Sequence, residues 1–120
     1  MSDVVIFECT DSITAKSGEW FDLKIKVTTF GITNLIICAE FARPTECKFF
    51  DQDGNPHDKI CESRPITSDL NNKELIFSLK IECPCGEEYN EFPLHLRIIV
   101  SDGDNEEKSD TCISQVLITC

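Results

Sequence analysis

An antiparallel β-sandwich of seven to eight strands is the fold class that this sequence predicts, and three observations carry the prediction. Apolar residues recur with a period of two, and no segment holds a stripe with the period of roughly 3.6 that marks a helix. The apolar runs are short and separated by clusters of turn formers. Hydrophobic residues make up 41% of 120 residues, enough for one core and too few for two. A single domain over 1–120 is therefore expected.

The first strand is Val4-Val5-Ile6-Phe7, bounded by Thr10-Asp11-Ser12. Ser17-Gly18 signals a turn, and Trp20 to Val27 follows as W-F-D-L-K-I-K-V. Phe21, Leu23, Ile25 and Val27 share one face there, with Asp22, Lys24 and Lys26 on the other. Asn34 to Phe41 is apolar on both sides at its centre, as expected of a strand inside a sheet, and Pro44 ends it. Cys47-Lys48-Phe49-Phe50 suggests a brief strand before the turn-rich Asp51 to Pro56. Leu75 to Cys83 alternates again, Leu94 to Val100 is the next strand, and Ile113 to Cys120 closes the set. Trp20, entering a strand beside Phe21, is expected in the core.

Twenty-two acidic residues against eleven basic give a net charge of −11. Such a surface repels phosphate backbones, which argues against nucleic acid, and anionic lipid unless a cation bridges the two. No apolar run approaches the roughly 20 residues that span a bilayer. Met1-Ser2-Asp3 lacks the basic, apolar opening of a secretory leader, so a cytoplasmic chain with reduced thiols is expected. The eight cysteines stand at 9, 38, 47, 61, 83, 85, 112 and 120. None forms a C-x-x-C pair, and Cys83-Pro84-Cys85 reads as a turn carrying two thiols.

Residues 94–118 read L-H-L-R-I-I-V-S-D-G-D-N-E-E-K-S-D-T-C-I-S-Q-V-L-I. An apolar strand runs into D-x-D, then five residues, a further Asp and an apolar closing strand. This resembles the C-terminal part of a C2 domain. Asn72 to Leu79 is similar to that family's N-E-x-F-x-F segment, and Leu23-Lys24-Ile25-Lys26-Val27 to its second strand. The resemblance implies a C2-like sandwich that binds calcium through Asp102, Asp104 and Asp110. Glu19 stands where the first loop would add a ligand, with Lys16 near the place of another and Asp11 as a lesser candidate.

The chemistry of such a loop is direct. Calcium takes six to eight oxygens in irregular geometry, and alternate carboxylates can converge on it. Two carboxylates 4 Å apart repel by about 4 kcal/mol at an effective dielectric of 20, which a cation would relieve. The expected function is a calcium-responsive module, peripherally bound to anionic phospholipid. Lys24, Lys26, Lys80 and Arg97 are its candidate lipid or partner contacts, because the loop tip Asn105-Glu106-Glu107-Lys108 is too polar to insert.

Asp51 to Asn55 superficially follows an EF-hand loop, but Pro56 stands where glycine is required. His57 and His95 accompany no recognisable nucleophile motif, and no phosphate-cradling loop occurs, so no enzyme is expected. Two alternatives stand beside the calcium reading. One is a calcium-independent protein-interaction sandwich. The other is a disulfide-bonded immunoglobulin-like extracellular module, for which Cys9 and Trp20 speak and a missing Tyr-x-Cys speaks against.

Overall fold

The computed structural model describes residues 3–120; Met1 and Ser2, part of the opening read above for a leader, lie outside them. Ten strands form: β1 (Asp3–Cys9), β2 (Ser12–Lys16), β3 (Trp20–Phe30), β4 (Asn34–Phe41) and β5 (Lys48–Phe50), then β6 (Pro56–His57), β7 (Lys59–Pro65), β8 (Lys73–Glu82), β9 (Glu91–Asp102) and β10 (Asn105–Thr119). Sheet 1 has the order β1-β3-β8-β5-β6, and sheet 2 the order β2-β10-β9-β4-β7.

The alternation seen in the sequence decides what each sheet buries. From β3 come Leu23, Ile25 and Val27, and from β8 Phe77, Leu79 and Ile81. They meet Leu35, Ile37 and Ala39 of β4, Leu96, Ile98 and Val100 of β9, and Val116 and Ile118 of β10. All of these are essentially inaccessible, so the core is one contiguous layer between the sheets. Phe49 of the three-residue β5 is also fully buried and stacks on Phe41, with ring centroids 4.3 Å apart.

The sandwich departs from the expected one in two ways. The sandwich has ten strands, because the segment expected to be the first loop contains β2, and residues 56–65 contain β6 and β7. Nor is it wholly antiparallel. After β1 pairs with β3, the chain crosses to the other sheet and β2 runs parallel to the closing strand β10, with Ser12 opposite Gln115 and Lys16 opposite Thr119. A split first strand, β1-β3-β8-β5 on one side and β10-β9-β4-β7 on the other, is the sheet order of immunoglobulin-like sandwiches. The chain does visit the edge positions in an unusual sequence, reaching β5 of sheet 1 before returning to β7 of sheet 2.

The expectation of reduced thiols is overturned. Four disulfides join Cys9 to Cys112, Cys38 to Cys61, Cys47 to Cys83 and Cys85 to Cys120, and none of the eight cysteines is free. Cys9–Cys112 ties β1 of sheet 1 to β10 of sheet 2. Cys38 and Cys61 face one another directly across β4 and β7. The two thiols of the Cys83-Pro84-Cys85 turn part company: Cys83 holds the start of β5, and Cys85 holds the residue after β10. Persistent disulfides belong to oxidising compartments. The cytoplasmic placement is corrected accordingly, toward an extracellular or periplasmic one.

Candidate functional site

The acidic hairpin between β9 and β10 is built from its own turns. Asp102 is 4% exposed, and its Oδ1 accepts the Asp104 N–H at 2.9 Å. Asp104 Oδ2 accepts the Thr33 hydroxyl at 2.9 Å. Asp110 points between the sheets, where Oδ2 accepts the Ile6 N–H of β1 at 3.0 Å and Oδ1 the Thr111 N–H at 2.9 Å. That contact sits at the irregularity between Ile6 and Glu8, where β1 loses register with β3. Gly103 is required by close approach. Its N–H donates to the Asn34 carbonyl at 2.8 Å, and a Cβ there would lie 2.5 Å from Asn34 Nδ2.

Glu19 belongs to a different end of the molecule. It follows Gly18, whose φ of 81° makes the β2–β3 turn, and its turn is anchored at the far end of β10, where the Ser17 N–H donates to the Thr119 carbonyl. Fifteen residues of β10 separate Asn105 from Thr119, roughly 45 Å at the usual strand rise. The four predicted ligands therefore do not converge, and each of the three aspartates already serves as a hydrogen-bond acceptor for the protein. Among the described residues no group of three or more His, Cys, Asp or Glu side chains is placed to hold a metal ion. This arrangement does not fit calcium.

The proposed basic patch is also divided. Lys24, Lys26 and Lys80 lie on the outer face of sheet 1, where Lys26 approaches Glu8 at 3.6 Å and stands opposite Glu74. Arg97 lies on sheet 2 and is bonded to Glu40 at 2.8 Å. The histidines are similarly dispersed. His57 Nε2 lies 2.8 Å from Asp51 Oδ2. The other Asp51 oxygen accepts the N–H groups of Asp53 and Asn55, both at 2.9 Å. These bonds, that from His57 foremost, hold the Asp51 carboxyl below its ordinary pKa of 3.8. The EF-hand-like string is thus a capped turn. His95 faces outward from sheet 2, opposite Gln115.

What the structure does assemble is the outer face of sheet 2. Core residues of β4 and β9 point inward, so Ile36, Cys38, Ile99 and Ser101 point outward, with Cys61 and Ile113 beside them on β7 and β10. Ile113 is 48% exposed. The Cys38–Cys61 disulfide lies in this face, with Cys38 covered and Cys61 open at the β7 edge. A groove of about 350 Å³ runs over Ile36, the disulfide and Ile99, with Glu106 and Ser109 of the hairpin at one rim. The Glu40–Arg97 pair closes the row on the outer face of β4 and β9. The signal was present in the sequence as the two-sided apolarity of Asn34 to Phe41, which was read as burial on both faces.

No protein-family profile and no curated protein matches this sequence. Among solved structures, the chain is similar to the ASH/PapD-like domain 7 of human CEP192, at 12% identity over 98% of this chain and 83% of that one, with a TM-score of 0.47. It is similar also to a conjugative transposon lipoprotein of Bacteroides eggerthii, at 12% identity over 96% and 95% of the two chains, with a TM-score of 0.48. The C2 resemblance is withdrawn: the sheet order is immunoglobulin-like, and the aspartates that carried the likeness stabilise turns and a contact between the sheets.

Proposed function

We propose that this chain is a disulfide-bonded, immunoglobulin-like recognition module that works outside reducing compartments and binds a protein partner through the outer face of sheet 2. The observation that carries the reading is the outward pair Ile36 and Ile99 around the Cys38–Cys61 bridge, with the exposed Ile113 at the border beside Arg97. It places apolar side chains on a rigid, disulfide-pinned sheet whose rim is charged, the arrangement of a binding patch with an apolar centre and a polar border. Binding without catalysis fits the same picture. Every cysteine sulfur is committed to a disulfide, and His57 is tied to a turn carboxylate. Among the described residues no helix is long and apolar enough to cross a membrane.

A photo-crosslinking amino acid placed at Ile113, and separately at Lys24 on the opposite face, tests the assignment in material from the natural source. Adducts with a defined protein from position 113 and none from position 24 support it. Adducts from position 24 alone, or from neither, oppose it.

A further inference from the structure

Trp20 does not lie in the core. It begins β3 on the outer face of sheet 1 and is 49% exposed. A single exposed apolar side chain calls for no explanation, but this one is a wall of an open cleft of about 490 Å³. The other walls come from three separate segments: Gln52 from the β5–β6 turn, Glu62 from β7 of the other sheet, and Ser78 from β8. The cleft exists because β5 is short. It pairs with β8 only at Glu82 and Ile81, so from Lys73 to Lys80 strand β8 has β3 as its one neighbour. Arg64 of β7 reaches into that gap and donates to the Ile76 carbonyl. The volume falls within the range of about 300–1,000 Å³ usual for small-molecule sites.

We infer that this cleft is a saccharide subsite, in which the indole of Trp20 takes the C–H face of a neutral pyranose while Gln52, Ser78 and Glu62 bond its hydroxyls. The one charged wall, Glu62, and the Ser78 hydroxyl are already partnered within the protein. Glu62 is held by Arg64 at 2.5 Å, and Asp22 accepts the Ser78 hydroxyl at 2.6 Å. Lys80 stands directly opposite Trp20, which discourages a cation on the ring. Glu62 and the net charge of −11 discourage an anion. Three polar walls against one aromatic wall do not suit an apolar ligand, whose sites are lined mainly by hydrophobic groups. One ring face together with an amide, a hydroxyl and a carboxylate suits a molecule with one apolar face and a rim of hydroxyls. β-1,4-linked pyranoses, with equatorial substituents, present the flattest such face.

Trp20 is the single tryptophan of the chain, so its emission reports on this cleft alone. The whole protein is titrated with cellohexaose, with chitohexaose and, as the cationic alternative, with choline. The expected result is a saturable change in emission with one or both oligosaccharides, at a Kd between roughly 10 μM and 1 mM. Gln52→Ala, at an exposed turn, should weaken it by at least about tenfold, and calorimetric heat should vanish in Trp20→Ala. Thermal melts confirm that the variants fold, and Ser78→Ala substitutes for Trp20→Ala should that variant not fold. A response to choline alone, no response to any of the three, or a saccharide response unchanged by Gln52→Ala would overturn the inference.

Discussion

The two ends of this sandwich treat their polar side chains in opposite ways. At the hairpin end, Asp102, Asp104, Asp110 and Asp69 all face inward to the chain. They accept from Asp104 N–H, the Thr33 hydroxyl, Ile6 N–H and Gly31 N–H; Asp102, Asp104 and Asp69 so hold loops without a disulfide of their own, while the Asp110 bond lies on β1 and β10, which Cys9–Cys112 also joins. At the Trp20 end, Cys47–Cys83 and Cys85–Cys120 fix the chain covalently. Gln52 and Trp20 are left facing solvent there. The hairpin carboxylates that hold loops are lost as ligands, and so is Asp51, which caps its own turn at the other end, while Gln52 and Trp20 stay available. An acidic loop is therefore a poor guide to a cation site until its hydrogen bonds are counted.

That contrast can be broken from either side. The largest effect is expected from Cys9→Ala with Cys112→Ala, which releases the disulfide that joins strand β1 of one sheet to strand β10 of the other. Its 103-residue separation corresponds to about 4.7 kcal/mol in the chain-entropy treatment. The 23-residue separation of Cys38–Cys61 corresponds to about 3.4 kcal/mol, so denaturant melts should rank the two pairs in that order. Asp110→Ala leaves the Ile6 N–H without its acceptor and should cost about 1–3 kcal/mol by the same measurement. Gly103→Ala forces Asn34 to move and should cost about 1–3 kcal/mol, while Gly86→Ala, with open space around it, should leave the melting temperature nearly unchanged. Millimolar calcium should not shift the melting temperature of the wild type; a rise of several degrees would show that the hairpin carboxylates rearrange around the ion.

The smallest effect concerns the capped turn. The Asp51 carboxyl titrates below its unfolded value of 3.8, so its contribution is complete above that pH and fades as pH falls through the lowered folded value. A carbon-detected NMR titration should place the Asp51 midpoint below that of a free aspartate, and His57→Ala should move it back upward. An unchanged midpoint in the variant would show that the backbone N–H groups alone set it.

Much of the fold was legible because burial has a period. β4 was read at its observed bounds. The alternation of β3 and β8 named most of the residues that line the core, among them Leu23, Ile25, Phe77 and Leu79. β7 was missed for a physical reason: K-I-C-E-S-R-P lies at a sheet edge, with Glu62 and Arg64 on the side that should be apolar, filling the open flank of β8. β2 offers only Ile13 and Ala15 to the interior, too little to distinguish from a loop. The candidate faces were less legible still. Trp20 looked like a core residue because its neighbour Phe21 shares its chemistry, yet adjacent residues on a strand point to opposite sides. The disulfides depended on distance in space: eight cysteines allow 105 pairings, and no spacing in the sequence chooses among them.

The most direct test is peptide mapping of the purified, unreduced chain after alkylation under denaturing conditions. The account predicts no alkylated cysteine, two linked peptide pairs (9 with 112 and 38 with 61), and one three-peptide species in which the peptide holding Cys83 and Cys85 is bonded to those holding Cys47 and Cys120. Free, alkylated thiols at these positions, in protein produced in an oxidising compartment, would contradict it.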